Sequence, residues 1–511
     1  MSLNQWFQRN VLDLLRQFRL SYLPPLMVYF AAGAAGLTGV VGTFFQKEVG
    51  FTPAFLAALG FWVGIPWALK MPMGHIVDLY WRWKGVFVFL GASLIAASLG
   101  IMYGLIGYRA DMEAIMSLHA WYTLGALLAP VGYALQDVVA DAMTVEAVPS
   151  HDKNGQPVPE ADLRLMHTTM QTLGRVAIVT GGMLVAGLSG WLVDTSSPEL
   201  RQASYLFIYQ LAMGIPALSV LGVMLAWAMR GFKAAPRSDE KTTVNHVLLW
   251  GSAGYVAFII AMGLSGLPFS QEIIFLGSMV IVVFLMLRLV ADLDPVARRQ
   301  LLAIAVLIFV FRAMPGAGPG PGWWQIDVLG FDEHFMGTLG QVGAIFGLLG
   351  MFLFRRFMAE RPIPYLIGFL TVTGMLLSLP VIGMFYGLHE WTQATFGFGA
   401  RTIALVDEAM SDTLGQIAMI PMLAWIAQSA PAKHKATYFA VMASFTNLAL
   451  QASRLGTKYM TTLYPVSQGR TVDGVAIPAD YSNVGTLLIT VTVIGFVVPM
   501  VVVLWARWRT R

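Results

Sequence analysis

The chain has 511 residues, 57% of them hydrophobic and only 12% charged, where a soluble domain of this size carries about 25% charged residues. That balance excludes a soluble globular protein, and the absence of cysteine excludes disulfides, iron–sulfur clusters and thiolate metal sites. The formal net charge of +4 comes from Lys and Arg between apolar runs, so it reports membrane topology rather than nucleic-acid binding.

The apolar runs are 18 to 30 residues long, enough to cross a hydrocarbon core of roughly 30 Å at about 1.5 Å per helical residue. A transmembrane barrel would instead show segments of about ten residues with alternating polarity. Residues 1–20 are expected to form an amphipathic interfacial helix, with Trp6, Phe7, Val11, Leu14, Leu15 and Phe18 interleaved with Arg9, Arg16 and Arg19. They carry no apolar core of signal-peptide type. Spans then follow at 22–46, 53–72, 85–108, 116–146, 164–193 and 203–229. After the charged break RGFKAAPRSDEKTT (230–243) come 244–267, 272–291, 300–325, 335–354, 364–388, 401–428, 436–463 and 484–506.

Loop charge tests the total of fourteen. With both termini cytoplasmic, Lys47, Arg109, Arg201, Arg401 and Arg470 lie outside, and Arg175, Arg312, Arg454 and Lys458 fall within spans. The remaining 23 of the 32 Lys and Arg lie inside. A count shifted by one helix would scramble this asymmetry. The expected fold class is an all-α polytopic membrane protein with about 14 transmembrane helices.

An internal repeat organises these spans. TFFQKEVGFTPAFLAALGFWVG (43–64) and GWWQIDVLGFDEHFMGTLGQVG (322–343) share an aromatic pair, Gln, an acid, Val, Gly-Phe and an apolar helix ending in Val-Gly. The expected domains are an N-terminal six-helix bundle at 21–230, a cytoplasmic linker with an inserted transmembrane hairpin at 231–295, and a C-terminal six-helix bundle at 296–511. The pair at 244–291 belongs to neither half and reads as lipid-facing accessory helices.

The inner loop MPMGHIVDLYWRWKG places Gly74, Asp78 and Arg82 four residues apart. It resembles the major facilitator signature G-x-x-x-D-[RK]-x-G-[RK]-[RK], with Leu79 and Trp81 departing from the pattern. Gly74 would let two helices approach, and Asp78 would cap a helix or pair with a cation at a closed inner gate. The alternative is an ordinary anchoring loop.

Charge inside the spans carries the functional reading. Asp137 and Asp141 stand four apart on the fourth span, sharing one face, and Arg175 follows on the fifth. Glu408 and Asp412 repeat that spacing in the second half, with Arg454 on the next span. A charge at mid-membrane costs ~2.5–3.5 kcal/mol on insertion scales. Two readings stay open: an Asp–Arg clasp that locks neighbouring spans, or a proton or substrate site facing a hydrated cavity shared by both halves. Glu146 points elsewhere and reads better as structural. Arg312 precedes AMPGAGPGPG, which cannot stay helical and either lines a cavity with freed amides and carbonyls or caps an outer helix end. Trp323 and Trp324 read as interfacial belt residues or a stacking platform, and Lys458 as a snorkelling cation. The histidines show no metal-ligand spacing. No cofactor site, phosphate-binding loop, nucleophile–base pair or other enzyme motif is visible.

With ALQDVVADAMTVE, RAMPGAGPG…WWQIDVLGF and VDEAMSDTLGQIAMIPML…ATYFAVMASFTNLA quoted, the chain resembles the folate–biopterin transporter family of the major facilitator superfamily. It is also similar to the muropeptide permeases, which share a Q-D-[IV]-V-x-D-A motif at Gln136 to Ala142. The resemblance implies a secondary transporter working by alternating access in the cell inner membrane, a proton-coupled symporter of a pterin- or folate-like solute. The implied partners are that solute, protons and the lipid bilayer, with a monomeric state and no nucleic acid. A pterin ring presents an N–H and an amino group that Asp137 or Glu408 would accept together, and a folate tail would need Arg175, Arg312 or Arg454. Alternatives are a muropeptide or other organic-anion permease, and a non-transporting assembly factor on the same scaffold.

Overall fold

The computed structural model describes residues 18–80, 83–149, 156, 158–229, 246–291, 294–354, 357, 361–428, 435–472 and 475–510. The interfacial helix expected at 1–20 falls mostly outside these residues, as do Arg82 and the break at 230–245. Contacts divide the chain into two units, Met1–Val41 with Leu69–Ser252, and Gly42–Ala68 with Ala253–Arg511.

Unit one begins with α1 (Leu23–Ala34), a 3-10 turn and the start of α2 (Gly39–Glu48); α3 (Pro53–Ala68) belongs to unit two. Then come α4 (Lys70–Leu79), α5 (Lys84–Gly107), α6 (Arg109–Ile115), α7 (Leu118–Ala147), α8 (Glu160–Ala186), α9 (Leu188–Trp191), α10 (Pro198–Ala212) and α11 (Gly214–Met229). Pro24 and Pro25 open α1, where no intrahelical N–H is lost. The Ser117 and Ser197 hydroxyls cap α7 and α10. Small residues then set the spacing. A Cβ on Gly33 would lie 1.9 Å from the Ile178 carbonyl oxygen, and one on Gly181 would lie 2.3 Å from that of Phe30, so α1 and α8 touch backbone to backbone. Gly132 and Gly91 do the same for α7 and α5, where Gln136 donates to the Val88 carbonyl at 3.2 Å. Val77, Val88, Val138, Val139, Met143 and Val223 fill the core between α4, α5, α7 and α11.

Unit two continues with α12 (His246–Leu264), α13 (Ser270–Leu289), α14 (Pro295–Arg312), α15 (Gly320–Asp327), α16 (Glu333–Leu353), α17 (Ile363–Phe385), α18 (Leu388–Phe396), α19 (Ala400–Gln428), α20 (Lys435–Leu463) and α21 (Val484–Thr510). Here α3 packs along α20, α16 along α19, and α17 and α14 along α21. Between α20 and α21 lies a short antiparallel hairpin, β1 (Arg470–Val472) and β2 (Val475–Ile477), with Thr471 opposite Ala476.

Among the described residues each of the fourteen expected spans falls on helix, the one at 300–325 being broken at 313–319. Among the described residues, eight helices are long and apolar enough to cross a membrane, and Pro53–Trp67 and Ala253–Leu264 are shorter apolar ones. The other four expected spans lie in α14, α16, α19 and α20, where Arg312, Gln341, Glu408 with Asp412, and Arg454 are found. Lipid-facing character is plain on α13, where Ile273, Leu276, Val280, Phe284 and Leu287 form an exposed apolar stripe at helical spacing.

The sequence repeat has a matching backbone. After α2, the Phe51 N–H bonds to the Gln46 carbonyl at 3.2 Å across Gly50 at φ +81°. After α15, the Phe331 N–H bonds to the Gln325 carbonyl at 3.2 Å across Gly330 at φ +66°. A left-handed residue is needed to turn the chain there, and glycine adopts it without a Cβ penalty. Both phenylalanines are buried.

Candidate functional site

In unit one, α7 presents Asp137 and Asp141 on one face, while Gln136 is buried against α5 and fixes the rotation. The cation that meets them is Lys70, the first residue of α4. Its ammonium pairs with Asp137 and lies 3.8 Å from Asp141. Tyr29 on α1 donates its hydroxyl to Asp141 at 2.5 Å. That ring fits because a Cβ on Gly174 of α8 would lie 2.9 Å from it. The four groups form one network drawn from three helices, and Asp141 stays exposed at its edge.

Of the two readings left open, the direct Asp–Arg clasp is not formed in this half. Arg175 is exposed and makes no ion pair within 4 Å among the described residues. Lys70 is the cation in contact with Asp137 and Asp141, and the Arg175 charge reaches Asp141 only at longer range. Glu146 has its own partner in the buried Lys84 at the start of α5. That agrees with its structural reading. Gly74 lies in α4, but an added Cβ would meet only Val138 at 4.0 Å, an ordinary contact, so close approach does not require glycine there. The Asp78 backbone is in α4; its side chain, like Arg82, lies outside the described residues.

In unit two, Glu408 and Asp412 face α16. A Cβ on Gly343 would fall 2.3 Å from an Asp412 carboxylate oxygen and 3.2 Å from Glu408 Cγ, so glycine makes the space these acids occupy. On α20, the Arg454 guanidinium lies over Gly64 of α3, where a Cβ would come within 1.6 Å of Nη1 and 2.2 Å of Gln451 Nε2. The acids and the arginines do not pair. Among the described residues Glu408, Asp412, Arg312 and Arg454 make no ion pair within 4 Å, and the Arg312 Nε is buried without a hydrogen-bond partner.

The broken segment after Arg312 is satisfied by α20. Ser453 donates to the Met314 carbonyl at 2.7 Å, and the Gly316 N–H bonds to Thr457 Oγ1 at 2.9 Å. Those two backbone groups are therefore occupied rather than free for a ligand. Trp323 and Trp324 are 0% and 4% exposed, so they are core residues and not a lipid-facing belt. Trp324 packs with Met384, Ile403, Val466 and Val484. Lys458 does not snorkel either: it pairs with Glu272 of α13 at 2.9 Å, and Tyr459 donates to the same carboxylate oxygen at 2.6 Å. The inserted pair is thereby fastened to unit two, with Gln271 donating to the Ala58 carbonyl at 2.9 Å.

Sequence reasoning missed Lys70, Tyr29, Gly64, Gly174 and Gly343. Lys70 stands near the end of the expected span 53–72, where it reads as one more inner-side cation. Among the described residues no cluster of three or more His, Cys, Asp or Glu is spaced to hold a metal.

The chain is similar to known proteins. A folate-biopterin transporter of Synechocystis sp. is 23% identical over 470 residues, covering 91% of this chain and 79% of the relative. A probable folate-biopterin transporter of Arabidopsis thaliana is 25% identical over 153 residues, 29% of each chain. Among solved structures, a POT family transporter in complex with 5-aminolevulinic acid superposes with a TM-score of 0.61 at 10% identity, covering 96% of both chains. A peptide transporter POT in complex with sulfate gives 0.60 at 14% identity over 96% of this chain and 94% of its own. These likenesses establish the major facilitator fold. The BT1 family model matches residues 34–509. The chain thus belongs to the BT1 family, the folate–biopterin transporters, and is a multi-pass membrane transporter of a small molecule.

Proposed function

We propose that the protein is a secondary active transporter that carries a pterin- or folate-like solute across the cytoplasmic membrane by alternating access, coupled to protons. One observation carries this reading. Two pairs of acids at i, i+4 stand inside membrane helices, one held by a lysine and a tyrosine, the other with no cation within 4 Å among the described residues. In the first pair the carboxyl oxygens of Asp137 and Asp141 beside Lys70 suit a ring that offers an N–H beside an amino group. In the second pair Glu408 and Asp412 are the groups that take up and release a proton. Arg175, Arg312 and Arg454 are the cations available to an anionic tail. Alternating access exposes the bound solute to either side of the membrane in turn. The protein acts as a monomer in the inner membrane with both termini cytoplasmic, and Gly74 and Asp78 of α4, with Arg82 after it, serve its inner gate.

Proteoliposomes loaded at alkaline pH and placed in acidic buffer test this directly. Labelled folate or biopterin should accumulate against its gradient, and a protonophore should collapse the accumulation. Asp137→Asn should weaken solute binding about 10- to 100-fold, the loss expected for one charge-assisted hydrogen-bond set. Asp412→Asn should leave binding in place and abolish the response to the pH gradient. Uptake no greater than in empty liposomes for both solutes overturns the reading.

A further inference from the structure

Asp407 precedes Glu408 on α19 but points to another side. Glu408 and Asp412 face α16 across Gly343, whereas Asp407 lines a cavity of about 410 Å³ between α14, α17, α19 and α21. None of Glu408, Asp412, Arg312 or Arg454 lines it, so it is separate from the charge set already described. Its size is that of a small-molecule site.

The walls are mostly apolar, among them Phe311, Leu370 and Leu488, with the hydroxyls of Ser378, Ser411 and Thr492 as further polar groups. Two lining residues are glycines, Gly374 and Gly415, and a Cβ added at either would meet nothing within 4 Å. These glycines hold no backbone in close approach; they leave the cavity wide. The carboxylate has no counterpart. Asp407 Oδ1 is buried without a hydrogen-bond partner, and no ion pair is formed by Asp407 among the described residues. A carboxylate inside a membrane bundle is stabilised by a donor or a cation. Since the described residues supply neither to Oδ1, a ligand that enters the cavity can bring it.

We propose that this cavity is a second ligand site that takes a small organic amine, an ammonium group on an apolar body. The ammonium pairs with Asp407, the hydroxyls accept or donate around it, and the apolar body fills the space beside Gly374. A neutral molecule of the same shape leaves the carboxylate unpaired and binds weakly. An anion is excluded by charge.

Protein in nanodiscs of zwitterionic lipid, probed with radiolabelled 2-phenylethylammonium, tests the site. Empty nanodiscs correct for partition. The expected result is saturable single-site binding that the neutral 2-phenylethanol fails to displace. Asp407→Asn should weaken it about tenfold or more. Gly374→Leu keeps the carboxylate, fills the cavity and should weaken it as much, which guards against an Asp407 variant that fails to fold. Asp412→Asn, which abolishes the pH-gradient response in uptake, should retain amine binding, so failure here and failure of the transport reading are separable. The proposal is overturned by binding no greater than in empty discs, by equal displacement with 2-phenylethanol, or by binding that survives either Asp407→Asn or Gly374→Leu.

Discussion

Lys70 serves two acids that lie on a different helix, and only 16% of the Asp137 side chain is exposed. Removing the lysine leaves Asp137 with its charge and little water. Lys70→Met is therefore expected to lower stability by about 1–3 kcal/mol, the penalty for one uncompensated partner. The thermal midpoint in detergent should fall accordingly, and Lys70→Met combined with Asp137→Asn should recover most of the loss. A drop below about 0.5 kcal/mol would mean the pair behaves as a surface ion pair and the network has no structural weight. The glycine cradles give a second residue-scale expectation. Gly64→Ala and Gly60→Ala alter the same helix by the same methyl, yet one Cβ lands 1.6 Å from the Arg454 guanidinium and the other meets nothing within 4 Å. Gly64→Ala should displace the arginine and cut uptake about tenfold or more, while Gly60→Ala should leave it near wild type. Equal uptake by the two variants would remove Arg454 from the site.

At the scale of elements, the inserted pair α12–α13 is bound by polar groups, not by grease alone. Glu272 receives Lys458 and Tyr459 while Met286 and Val290 pack with Leu301, Val441 and Phe445. Glu272→Ala should destabilise the protein by about 1–3 kcal/mol through the unpaired Lys458, and Glu272→Ala with Lys458→Met should restore much of it in the same melting assay. None of this anchoring could be read along the chain, because its partners lie 186 and 187 residues apart and share no period. What the sequence does display is local. Apolar runs mark the helices, i, i+4 spacing marks the acid pairs, and the repeat around Gly50 and Gly330 marks the turn that both halves use. Partners across helices are silent by the same logic. Tyr29 is one more aromatic in an apolar run, Lys70 looks like a loop cation at a span end, and Gly64 and Gly343 are two of 51 glycines. Arg175 was the natural guess because it was the nearest intramembrane cation in sequence, and helix packing selected another.

For the whole molecule, a bilayer requires that polar helices be shielded and that every loop fall on a definite side. Within unit two α13, α17 and α21 turn Phe284, Leu376 and Val493 outward, while α14, α19 and α20 carry Arg312, Glu408 with Asp412, and Arg454. Sidedness is open to a direct test: Ala297 sits beside Arg298 and Arg299 at the start of α14, and Ser196 and Ser482 lie in the turns before α10 and α21. With both termini cytoplasmic, as the positive-inside rule predicts, the α14 start is inside and the two turns are outside. The chain has no cysteine, so single substitutions report without background. All three positions are exposed. In intact cells a membrane-impermeant maleimide should label Ser196→Cys and Ser482→Cys and spare Ala297→Cys, and lysis should make all three equal. Labelling of Ala297→Cys before lysis would reverse the orientation, and labelling of only one of the two outer turns would mean that the number of crossings between α9 and α21 is odd where an even number is expected.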